Sequence, residues 1–327
     1  MISKPWILCL IAVDIVLWLG AIFWPVSRSE TKPMSVVVGL WPGSETLLMA
    51  QARKELPPRQ ITLVEMTWTS AAVRAFQNGV ADAAVLSLGE VIHLKENGCD
   101  VRIVLVLDSS RGADAILVRP GLRSLADLKG KRIAMTSRSS GLYIFSHERE
   151  KAGLKDEDFT MVPLNSTEAE TAYASGEVDA AVINEPWATK LVNQGAVRIA
   201  DSKPYEQDIY RVVAVRTEKL AEFEQALQVL VKAHFHSLEA IQHLAPRDPV
   251  LAINAKREGV SIQDLQAMFK LLDQPSAEQN KVLLEPETGP ICQAATRVAQ
   301  YMLEHGMIEK AVDCRHLTDP TFVRQVP

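Results

Sequence analysis

Seven short clusters of hydroxyl and amide residues punctuate the chain, and each follows an apolar run. They are Trp41-Pro-Gly43-Ser44, Trp68-Thr-Ser70, Ser87, Asp108-Ser-Ser110, Thr136–Gly141, Asn165-Ser-Thr167 and Asn184-Glu185-Pro-Trp187. Several open a helical pattern, where the first N–H groups lack an intrahelical acceptor and the helix dipole favours negative charge. The chemistry this allows is capture of a small anion by main-chain donors. Ser139, Ser140 and Gly141 lead the candidates, because their backbone can approach a ligand closely. Trp41, Trp68, Trp187, Tyr143 and Tyr210 could furnish apolar walls, and Arg111 and Arg138 could pair with an acidic group. Glu185 would instead welcome an amino or amidine group. Singly, each cluster also reads as helix capping, each aromatic as core and each arginine as solvated surface. Their convergence at strand ends carries the functional reading.

Sets that break covalent bonds are missing. The sequence has no G-x-S-x-G elbow, no H-E-x-x-H and no Walker loop. His234 and His236 fall on different faces of a helix, and His236 with His243 lacks a third ligand. A non-enzymatic chain without metal or cofactor is expected.

Two stretches that echo each other supply the scaffold. Ser70–Leu86 and Thr167–Ile183 align with Phe76 on Tyr173, Gly79 on Gly176 and Asp82-Ala-Ala-Val on Asp179-Ala-Ala-Val, 97 residues apart. In each, Ser70 or Thr167 is placed to cap a short helix and the glycine to end it in a left-handed conformation. A doubly buried Ala/Val strand follows. With Ile61–Met66 and Phe159–Leu164 ahead of them, both copies predict strand–helix–strand units with parallel pairing. Ligands of such sheets sit beyond the carboxyl ends of the strands.

Composition bounds the rest. The chain has 327 residues, 47% hydrophobic and 23% charged, enough for two cored lobes, and its net charge of −5 argues against nucleic acid. Trp6–Val26 is apolar except for Asp14, and reads as a membrane anchor or as an export signal cleaved near Ser29. Either way the remainder is exported. Cys292 and Cys314 stand 22 residues apart and could be bridged or free. The domain reading is residues 1–33 as anchor or signal with its tether, 34–118 plus 212–327 as the first lobe and 119–211 as the second. Crossings near 118–122 and 208–213 would make a two-strand hinge. Ser44 should cap a helix reaching about Lys54, and only helices are expected after Glu218.

Leu128-Lys-Gly-Lys-Arg-Ile-Ala134, Ser139-Ser-Gly141, Ala152-Gly-Leu154 and Gly176-Glu-Val-Asp-Ala-Ala-Val-Ile-Asn-Glu-Pro-Trp187 resemble the solute-binding proteins of nitrate, taurine and aliphatic-sulfonate ABC transporters. The likeness covers roughly residues 36–215. It implies a two-lobed α/β periplasmic-binding fold of type II, with mixed sheets flanked by helices and a helical C-terminus. The resemblance further implies a periplasmic monomer that closes over one small anionic or zwitterionic molecule and presents it to an inner-membrane permease. Gly39–Ser44, Ser87, Thr136–Gly141 and Asn184–Trp187 match the family's cleft loops. The ligand set expected is Trp41, Gly43, Ser70, Ser87, Ser110, Thr136, Ser139, Ser140, Gly141, Asn165, Glu185 and Trp187. A membrane-tethered sensor and a pyrimidine carrier are the alternatives. Thiamine-pyrimidine synthases share the fold, but their cysteine-rich motif and cofactor lysine are not found here.

Overall fold

A computed structural model describes residues 32–137, 139–243 and 249–327. The apolar N-terminal segment and Arg138 lie outside the described residues. Among the described residues, no helix is long and apolar enough to cross a membrane.

Among the described residues, eleven strands form two sheets. The first contains β1 (Met34–Gly39), β2 (Ile61–Met66), β3 (Ala83–Ser87), β4 (Val101–Ser110), β10 (Tyr210–Arg216) and β11 (Leu272–Asp273), in the order β11-β4-β10-β3-β1-β2. The second contains β5 (Asp114–Val118), β6 (Arg132–Met135), β7 (Thr160–Pro163), β8 (Ala180–Asn184) and β9 (Val197–Asp201), in the order β7-β6-β8-β5-β9. Apart from β11 the two layouts match. In each, the repeat's two strands flank a central strand in parallel register, and an antiparallel strand lies next to the second. β3, β5 and most of β4 and β10 are buried throughout, which suits their near-continuous Val, Leu, Ile and Ala content.

The echoed aspartates do the same work in both copies. Asp82 Oδ2 accepts the N–H of Ser35 on β1 at 2.9 Å, and Asp179 Oδ2 accepts that of Arg132 on β6 at 3.0 Å. Gly79 and Gly176 both take positive φ, +71° and +88°, as the helix stops require. The expected caps are corrected. Ser70 lies inside helix Thr69–Gln77, which has no capping side chain, and Thr167 lies inside Ser166–Ser175. There Asn165 caps: its side chain accepts from Glu168 N, and Glu168 accepts from Asn165 N, each at 3.0 Å. Nor does Ser44 cap helix Glu45–Ala52, because a 3-10 turn over Pro42–Ser44 already feeds the helix.

A second correction concerns the lobe boundary. Ala115–Val118, read above with the first lobe, pairs antiparallel with β8 and β9 in the second sheet. The first passage therefore runs through residues 111–113 and the return through 202–209. Each sheet receives its antiparallel strand directly from the other. Ser202 stitches the passages together: its Oγ lies 2.7 Å from Ser110 Oγ and accepts Gly112 N at 2.7 Å.

The helices are α1 (Glu45–Ala52), α2 (Thr69–Gln77), α3 (Leu88–Glu96), α4 (Ser140–Lys151), α5 (Ser166–Ser175), α6 (Trp187–Asn193), α7 (Glu224–His243), α8 (Pro249–Glu258), α9 (Ile262–Phe269), α10 (Ala277–Leu283) and α11 (Pro290–Glu304). The last five follow the predicted helical run, which β11 interrupts by pairing with the end of β4. Cys292 and Cys314 are buried free thiols; the first sits 3.5 Å from Thr318 Oγ1. His234 is a core histidine, its Nδ1 2.9 Å from Thr46 Oγ1 and its basicity lowered by burial to about 3.

Candidate functional site

Where the two sheets face each other lies a cleft of about 330 Å³. The first lobe contributes Ser70, Val73, Arg74 and Gln77 from α2, Glu90, His93 and Leu94 from α3, and Arg211 from β10. From the second come Asp114, Thr136, Ser137, Ser139–Gly141, Ser166 and Val182–Asn184. Ser70, Ser140 with Gly141, and Ser166 mark the first turns of α2, α4 and α5. Three helix N-termini thus border one space, with their early N–H groups and positive dipole ends. Ser139 caps α4, accepting from Leu142 N at 3.3 Å while donating to Thr136 O at 2.8 Å.

Arg211 is the buried cation of the cleft. Its guanidinium lies over the Trp41 ring, 4.4 Å from the centroid, and Nη1 is 3.8 Å from Glu90 Oε2. Two carboxyls flank it. Glu90 completes the capping box of α3, accepting Ser87 N at 2.7 Å, and burial raises its pKa despite Arg211. Asp108 accepts Trp41 Nε1 at 3.0 Å, and burial pushes its pKa up to about 7. Its other oxygen, also buried, receives no hydrogen bond among the described residues. Reluctant ionisation on both sides leaves the positive charge of Arg211 available to a ligand.

Asp114 is already engaged, because Ser140 Oγ and Ser110 Oγ each donate to it at 2.6 Å. Gly141 is required by packing: a Cβ there would stand 2.9 Å from Val182 Cγ1. Among the described residues, no group of three or more His, Cys, Asp or Glu side chains is placed to hold a metal ion.

A family model described as NMT1/THI5 like matches residues 60–243, more than half of the chain. The chain belongs to the NMT1/THI5-like family. This NMT1/THI5-like chain is 26% identical over 298 residues to a putative aliphatic sulfonates-binding protein of Escherichia coli (strain K12), covering 88% of the chain and 89% of the relative. Its fold matches the alkanesulfonate-binding protein SsuA from Xanthomonas axonopodis pv. citri bound to MOPS, with a TM-score of 0.75 and 21% identity. That match covers 89% of this chain and 99% of the other. The nitrate-binding protein NrtA from Synechocystis PCC 6803 matches at TM-score 0.68 and 13% identity, over 91% and 90% of the two chains. The architecture is thus the two-lobed periplasmic-binding-protein fold, as the sequence resemblance implied.

The NMT1/THI5-like cleft gathers five of the expected ligand residues: Ser70, Thr136, Ser139, Ser140 and Gly141. Trp41 borders a small side recess that shares Asn184 and Arg211 with the cleft. Ser87 faces an adjoining pouch. The others do not line the cleft. Gly43 lies under Trp41, where a Cβ would overlap the Asp108 carboxylate. Ser110 belongs to the Ser202 stitch and Asn165 is a cap. Glu185 is fully buried, accepting Thr189 N at 2.9 Å with Arg198 3.4 Å away, and Trp187 is core. Trp68 is 48% exposed outside the cleft, Tyr210 is buried, and Arg111 pairs with Glu206 at the surface.

Arg211 and Asp114 escaped the sequence reading for one reason. Sequence patterns mark the carboxyl ends of parallel strands. β5 and β10 run antiparallel to their neighbours, so they present their first residues to the same crevice.

Proposed function

We propose that this chain is a non-enzymatic solute-binding component of an ABC importer, working in the periplasm and closing two lobes over a small organic oxoanion of the sulfonate class. The observation that carries the reading is Arg211, buried in a cleft that the first turns of three helices also line. An anion there gains charge-assisted hydrogen bonds from the guanidinium and main-chain donors from the helices. The cleft volume suits an organic anion better than bare nitrate, which has only four heavy atoms. Val73, Leu94 and Val182 give its carbon skeleton apolar contacts. The names of the relatives point to the same class of ligand. Transport follows from the permease such a carrier would serve, with the N-terminal segment as signal or anchor.

Thermal-shift screening of the purified chain with taurine, alkanesulfonates, nitrate and pyrimidines tests this. Alkanesulfonates should raise the melting temperature in a concentration-dependent way. A shift with a pyrimidine and none with any sulfonate would replace the proposal.

A further inference from the structure

Across Ser139 and Ser140 from the cleft lies a second, smaller cavity of about 30 Å³, and Ser139, Ser140 and His93 line both spaces. Its walls are Leu88 and Gly89 of α3, Leu142 of α4, and Val298, Met302 and Met307. The polar groups at its mouth are turned to protein partners. Ser139 Oγ donates to Thr136 O, Ser140 Oγ to Asp114 and Tyr143 OH to Asp208. One water needs roughly 10–15 Å³ and two to four polar partners, so this space has room for about two small groups and apolar walls to receive them.

We infer that the pouch is a tail subsite: the ligand of the cleft carries a short apolar substituent that passes Ser139 and Ser140 and packs against Leu88, Met302 and Met307. The inference rests on the anion-carrier reading and adds to it a length limit. The head group stays among the donors at the start of α4, and the first two methylenes beyond the head-bearing carbon enter the pouch. Methionine side chains adapt to irregular apolar shapes, which fits a site selecting size over exact outline. Longer chains exceed the room of the pouch, so methylenes beyond the second gain nothing from it.

Gly89 gives the test its lever. A Cβ at this helical position meets Met302 Sδ at 4.0 Å, an ordinary contact, so alanine is accepted and the branches of valine would fill the space. Calorimetric titration of the full chain with methane-, ethane-, propane- and pentanesulfonate should show affinity rising roughly fourfold per methylene as far as propanesulfonate, then levelling. Gly89→Val should flatten the series while leaving methanesulfonate affinity unchanged, and Gly89→Ala should fall between. Wild-type affinity independent of chain length, or a Gly89→Val series as steep as wild type, overturns the tail subsite and leaves the carrier reading standing. No binding anywhere in the series overturns both. A melting curve for each variant separates misfolding from a lost subsite.

Discussion

Around Arg211 three side chains set the electrostatics. Trp41 covers the guanidinium, Glu90 lies beside it, and Asp108 holds Trp41 from behind. Asp108 has a folded-state pKa of about 7, above the ordinary carboxylate value, because burial penalises its charge. The folded chain therefore holds a proton between about pH 4 and pH 7 that the unfolded chain has released, and stability falls as pH rises through that window. Asp108→Asn keeps an acceptor for Trp41 and removes the titration. Its denaturation midpoint should decline less steeply between pH 4 and 7 than the wild type's, the buried Glu90 and Glu258 keeping their share; an equal decline in both would refute the assignment. The same ionisation competes with a bound anion for Arg211, so wild-type anion affinity should weaken from pH 6 to pH 8, and the variant's should weaken less because only Glu90 is left to compete. Nothing in Ile209-Tyr-Arg-Val-Val reveals this role, since an arginine in an apolar strand reads as an edge residue. Only the pairing direction of β10 brings it to the crevice.

Caps and close packing place the donors. Asn165 was expected to touch ligand, yet both of its capping-box bonds are internal to the start of α5. Asn165→Ala should cost about 1 kcal/mol of stability with ligand affinity unchanged. A loss of affinity without loss of stability would return Asn165 to the site. Gly141 lets α4 approach β8, so Gly141→Ala should cost roughly 1–3 kcal/mol by overpacking against Val182. Adding Val182→Ala should recover part of that cost, and failure to do so would mean the strain lies elsewhere. The repeat was legible at this scale because its marks are chemical necessities: a glycine with positive φ after each helix, and an aspartate bonded to the neighbouring strand. The caps were misplaced by two residues at α5, because several adjacent hydroxyl and amide residues compete for one capping role.

The two sheets are joined by short passages that exchange antiparallel strands, and Ser202 ties those passages with hydrogen bonds to residues 110 and 112. This joint suits rotation of one lobe against the other, with closure favoured by ligand contacts available from both sides. Small-angle scattering of the chain should show a smaller radius of gyration with saturating ligand than without. An unchanged profile under proven saturation would contradict ligand-driven closure. The lobe boundary was the part of the fold that sequence misjudged. Asp108-Ser-Ser-Arg-Gly112 looks like a turn returning to the same sheet, whereas it carries the chain across to the other. The paired layouts, the helical C-terminus and the return strand were all readable from apolar periodicity and glycine stops.

The central claim is that an organic anion sits between the lobes on Arg211. Side-by-side calorimetry of wild type and Arg211→Gln with ethanesulfonate tests it most directly. A charged hydrogen-bond partner is worth about 1.5–3 kcal/mol, so one-to-one binding should weaken roughly tenfold to a hundredfold in a variant that still melts cooperatively. Equal affinity in the two proteins would contradict the account.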